Sequence, residues 1–167
     1  MKEISGYLAN QFGFSETGRF LLDKLIKPEI NRIGIKIYDP FEECEKELDL
    51  TRLSKLKKHQ DVYSLWEKFG HKITPINNRL MKKTNCMFAI LDGGHALDDG
   101  VASEIGYFAG IKQGPIFALR TDFRKVESMA NTVNWQIVGY IKQSKGKLIN
   151  NTEEYFSEIQ KWYDSLK

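Results

Sequence analysis

Residues 86–91 read Cys-Met-Phe-Ala-Ile-Leu, an uninterrupted apolar run bounded by Asn85 and Asp92. A strand with one face in water alternates apolar and polar residues; this run does not, so both of its faces are predicted to be buried. A strand of that kind belongs inside a parallel sheet with helices on either side. The rest of the chain agrees. A short strand is predicted over 4–9, and a helix starts near Ser15 with Glu16 in its first turn. Leu21, Leu22, Leu25 and Ile26 give that helix one apolar face. Gly34 is placed as its C-cap, before a second strand over 35–38. Beyond the central strand come a helix over 101–112, a strand over 115–119, a last strand near 136–141 and an amphipathic helix over 152–165.

Strands alternating with helices call for right-handed crossovers, and five strands in this rhythm suit a flavodoxin-like, doubly wound, five-stranded parallel α/β sheet. The 167 residues fit one domain, with 41% hydrophobic and 28% charged residues, so a disordered polyelectrolyte is excluded. Residues 42–75 are the exception to the rhythm: long, highly charged, read as one or two helices and expected to be an insertion serving as lid or dimer element. The basic stretch over 55–59 is read as a solvated helical face. A net charge of +3 is too small and too evenly spread for a nucleic-acid footprint.

Cys44 and Cys86 lie far apart, with no Cys-x-x-Cys pair, and His59, His71 and His95 lack metal-ligand spacing. No metal is expected. The N-terminus runs straight into an apolar strand rather than a secretory segment, and no apolar run approaches the roughly 20 residues of a membrane span. A soluble, cytoplasmic protein is therefore expected, with no membrane partner.

In a doubly wound sheet, ligands bind beyond the carboxyl ends of the strands, where strand order reverses. Three loops qualify: residues 7–15, 39–41 and 92–104. The third crowds Asp92, Asp98, Asp99 and Glu104 between a buried strand and a helix. Helix capping accounts for Asp98 or Asp99 but not for Glu104, which lies five or six positions further on. Held at the margin of the apolar helix face, near the positive end of the dipole, Glu104 is expected to stay ionised. Such a carboxylate suits attack on an anomeric carbon; pattern alone leaves a solvated surface Glu equally open. Phe12 and Phe14 flank Gly13 in the first loop, which carries no phosphate-cradling pattern. They are read either as core or as walls for a flat ring. Ser15 and Thr17 are read as caps that, with Arg19, could take an anion.

Taken together, Tyr7-Leu-Ala, Phe12-Gly-Phe-Ser, Asp39-Pro-Phe, Leu91-Asp-Gly, Asp98-x-Gly-x-x-x-Glu104-x-Gly-Tyr, Asp122-Phe-Arg and Asn131 resemble the nucleoside 2-deoxyribosyltransferase family, from about residue 4 to residue 135. The resemblance implies a flavodoxin-like fold and base exchange on 2′-deoxyribonucleosides, with nucleosides and free bases as partners. It implies Glu104 as nucleophile, Tyr7 as the hydroxyl that orients it and Asp98 as a carboxylate for the sugar hydroxyls. Phe12 and Phe14 would flank the base, with Asp39 and Asp92 near the pocket. Asn131 would be supplied to a neighbouring subunit's site in a homo-oligomer. Two departures stand out: Asn77 or Asn78 replaces an Asp common beside the base, and Asn10-Gln11 replaces a Gly-Pro.

The leading expectation is thus a salvage transferase working by double displacement, with no cofactor because a carboxylate carries the chemistry. A hydrolase of nucleosides or nucleoside 5′-monophosphates is the alternative, with Arg19, Ser15 and Thr17 holding a phosphate. A nucleotide-binding module with weak catalysis is the other, with the Asn in place of Asp as its support.

Overall fold

A computed structural model describes residues 3–48, 58–94 and 96–167. The basic stretch predicted over 55–59 lies outside the described residues, apart from Lys58 and the backbone of His59, as does His95. Five strands form one wholly parallel sheet: β1 (Ser5–Asn10), β2 (Lys36–Tyr38), β3 (Cys86–Ile90), β4 (Ile116–Leu119) and β5 (Lys147–Ile149), ordered β2-β1-β3-β4-β5. That is the flavodoxin-like order, with its reversal between β1 and β3. The register pairs Tyr7 with Met87 and Asn10 with Ile90. β3 is buried along its whole length, as its composition requires.

Alternation along β1 divides the core into two layers. Tyr7 and Ala9 point into one, against α4 (His59–Lys83), α5 (Asp99–Gly110) and α6 (Trp135–Gln143). Leu8 points into the other, with the helical run after β1 and α7 (Thr152–Asp164). The first helical run is not one even helix. α1 (Glu16–Leu21) passes through a π-helical turn, Leu22–Ile26, into α2 (Lys27–Ile33), which Gly34 ends at φ +104° as expected. The four leucine and isoleucine side chains do not share one buried face. Leu22 and Ile26 are buried, whereas Leu21 and Leu25 are 44% and 39% exposed, because the wider π turn shifts the phase.

One predicted strand is corrected. The segment near 136–141 is α6, and the fifth strand is the short β5 that follows it. Its β-branched and aromatic residues suggested a strand, yet Asn134 caps a helix by accepting from the N–H groups of Gln136 and Ile137. Ile137 and Ile141, one helical turn apart, are its buried residues. The charged segment over 42–75 contributes α3 (Pro40–Glu47) and the first two-thirds of α4. No described helix is long and apolar enough to cross a membrane.

Candidate active site

The carboxyl end of β1 and the segment that follows it, together with α3, α4 and α5, enclose a cleft of about 720 Å³. It lies where strand order reverses. Its chemistry centres on Glu104, carried by the second turn of α5. Asp98 caps this helix, its Oδ1 accepting from the Val101 N–H at 3.0 Å. Asp98 is thus a helix cap, and it also lines the cleft. Its Oδ2 has no hydrogen-bond donor among the described residues.

Tyr7, wholly buried on β1, donates its hydroxyl to Glu104 Oε1 at 2.5 Å. Asn77, on α4, donates Nδ2–H to the same oxygen at 3.1 Å. Two donors thus clamp Oε1, and Oε2 accepts no hydrogen bond among the described residues. Burial raises the Glu104 pKa to about 7; the nearby Asp98 charge pushes the same way, while the hydrogen bonds from Tyr7 and Asn77 pull it down. Loss of water thus opposes the ionised state that the helix dipole was expected to favour. Tyr7 is raised far above an ordinary phenol, first by burial and then by the neighbouring carboxylate, so it acts as a donor and never as an anion.

Cys44, on α3, donates its thiol to Asn77 Oδ1 at 3.8 Å, which holds the amide with its nitrogen toward Glu104. Burial, then the carboxylates of Glu47, Glu104 and Glu43, raise the Cys44 pKa, so it stays a protonated donor. Of the two asparagines left open by the sequence, Asn77 lines the cleft and Asn78 does not.

The aromatic wall is built from Phe14 and Phe41, edge to face with centroids 4.8 Å apart. Phe14 is 78% exposed toward the cleft mouth. Gly13 makes this close approach possible: a Cβ there would meet the Phe41 ring at 2.3 Å. Phe12 turns the other way and packs with the opposite core layer. Ser15 and Arg19 reach the cleft rim, but Ser15 Oγ accepts from the Gly18 N–H. Arg19 donates Nε–H to the Gly13 carbonyl and pairs with Glu45 at 3.4 Å.

Three further expected residues do not line the cleft. Asp39 is buried beneath it, where it caps α3 through the Phe41 N–H and pairs with Lys27 at 2.7 Å. Asp92 is held by the loop after β4, accepting from the Thr121 N–H and hydroxyl and from the Asp122 N–H. Asn131 is buried in its own loop, accepting from Ser128 Oγ at 2.6 Å and donating to the Val133 carbonyl. Sequence reasoning missed Phe41, Cys44, Leu48, Trp66 and Ile73, all cleft-lining residues contributed by α3, the residue that follows it, and α4. Apolar residues at three-to-four spacing within the charged segment were the available signal.

The family model described as nucleoside 2-deoxyribosyltransferase matches residues 6–152. Among solved structures, a conserved protein from Enterococcus faecalis V583 is similar at 23% identity and TM-score 0.64, covering 96% of this chain and 99% of its own. A 2-desoxiribosyltransferase from Leishmania mexicana is similar at 12% identity and TM-score 0.62, covering 95% of this chain and 97% of its own. At these identities the likeness is one of fold. No curated protein matches the chain.

Proposed function

Because the chain belongs to the nucleoside 2-deoxyribosyltransferase family, we propose that it moves a 2-deoxyribosyl group between bases through a covalent ester on Glu104. The observation that carries this reading is the asymmetry of the Glu104 carboxylate. Tyr7 and Asn77 both hold Oε1, which fixes the plane of the group and leaves Oε2 to meet the sugar. Oε2 attacks C1′, the C1′–N bond breaks, and the base departs with the bonding electrons and takes up a proton from solvent. The ring nitrogen of a second base then attacks C1′ and gives its proton to solvent as the C1′–Oε2 bond breaks, which restores the free carboxylate. Two inversions return the original configuration.

Asp98 Oδ2, next to Glu104, is suited to accept a sugar hydroxyl. Phe14 and Phe41 offer an apolar wall for the base and keep water from the ester, on which transfer over hydrolysis depends. The same reading makes the protein a homo-oligomer of nucleoside salvage, in which the loop carrying Asn131 reaches a neighbouring cleft. The exposure of Phe123, Met129 and Trp135 around that loop, at 86%, 91% and 55%, supports a contact there.

The test is incubation with a panel of 2′-deoxynucleosides and acceptor bases, with products separated by chromatography. New nucleosides should form, and Glu104→Ala should lower their rate by several orders of magnitude. Free sugar without any new nucleoside would point to a hydrolase instead.

A further inference from the structure

The cleft is longer than the reaction needs. Its polar side chains gather around Glu104 and at the Arg19–Glu45 rim, whereas Trp66 and Ile73 line it from α4. Ile73 lies one turn and Trp66 three turns before Asn77 on that helix, and the three share a face. Asn77 touches the Glu104 carboxylate, and Trp66 lies about 16 Å before Asn77 along the helix axis. A purine bonded to the reacting carbon is shorter than that span. A base of that length would leave Trp66 free for a further group.

Both side chains expose large apolar surface, 50% for Trp66 and 38% for Ile73. Trp66 is nevertheless anchored. It meets the buried Phe69 edge to face, with centroids 6.1 Å apart, and lines the cleft. A fixed aromatic platform continuous with a reaction site loses little conformational freedom when a ligand covers it.

We propose that Trp66 and Ile73 form a subsite for an apolar substituent carried on the exchanged base, so that the preferred acceptors are bases bearing an aryl or alkyl group. This rests on the transfer reading only for the site's identity; occupancy of the subsite is a binding property.

The test pairs calorimetric titration with exchange assays, using adenine and N6-benzyladenine on the wild-type protein, Trp66→Ala and Trp66→Phe. The benzyl derivative should bind wild type about 10- to 30-fold more tightly than adenine. Trp66→Ala should bring that ratio close to one, and Trp66→Phe should restore most of it. Equal affinities in wild type, or a ratio unchanged in Trp66→Ala, would overturn the subsite. A change of mass in solution caused by Trp66→Ala would overturn it too, by showing that a second copy of the chain covers this face. A benzyl preference in binding without exchange of any base would uphold the subsite and overturn the transfer reading. Exchange without a benzyl preference would do the reverse.

Discussion

At the scale of single residues, Glu104 is where opposing influences meet. Loss of water favours its protonated form, and the donors Tyr7 and Asn77 favour its charged form, with the balance at about 7. Only the charged form has a nucleophilic lone pair on Oε2 with no proton attached. The kcat/KM of the free enzyme should therefore fall as pH drops through about 7, along a limb governed by one group. Tyr7→Phe removes a donor to the charged form and should move that limb to higher pH. Asn77→Asp should do so more strongly, because two carboxyls at hydrogen-bond distance share one proton. A limb in the ordinary carboxylate range, or one indifferent to Tyr7→Phe, would show that the buried carboxylate does not govern the rate. Stability follows the opposite sense. The unfolded chain releases this proton near 4.5 and the folded one near 7, so ionising Glu104 destabilises the fold as pH rises across that window.

At the scale of elements, the aromatic wall depends on how α3 begins. Asp39 caps it, and Lys27, the first residue after the π turn, reaches across to that carboxylate and to Asp23 and Glu42. Burial opposes the Lys27 charge, and its hydrogen bonds to Asp39, Glu42 and Asp23 outweigh it, leaving its pKa raised. Lys27→Met would leave the buried Asp39 without its cation, a change that costs about 3–5 kcal/mol in comparable settings. Its urea midpoint should fall accordingly. Arg32→Ala, which removes an exposed pair with Glu29, should shift stability by less than about 1 kcal/mol. Equal effects would mean that the Lys27–Asp39 pair does not hold α3 in place.

The same elements mark how far the sequence could be read. An apolar run such as β3 has one structural solution, and capping residues such as Ser15 and Asp98 declare helix starts locally. α6 did not read correctly, because its residue types favour strands and only the Asn134 cap and the Ile137/Ile141 spacing speak for a helix. Glu104, Tyr7 and Asp98 were legible as a constellation and do converge. Phe12 and Phe14 looked equivalent, and only packing separates the one facing the core from the one facing the cleft. Phe41 and Cys44 were hidden because a helix this charged reads as solvated until a neighbouring helix is placed against it.

At the scale of the whole molecule, the account has two consequences. The first concerns subunits. Mixing inactive Glu104→Ala protein with inactive Asn131→Ala protein should restore partial activity once subunits exchange, since one cleft in the mixture then holds both intact groups. Size-exclusion chromatography of labelled protein checks that exchange has taken place. Exchange with no recovery would confine Asn131 to the loop that it stabilises in its own subunit.

The second consequence is the central one: during turnover the chain itself carries the sugar. The most direct measurement is intact-protein mass spectrometry after rapid acid quench of the protein with a 2′-deoxynucleoside and no acceptor base, followed by peptide mapping. The account predicts added mass equal to one deoxyribosyl group, confined to the peptide that contains Glu104 and absent from Glu104→Gln. Base exchange proceeding with no such adduct, or with the adduct on another residue, would contradict it.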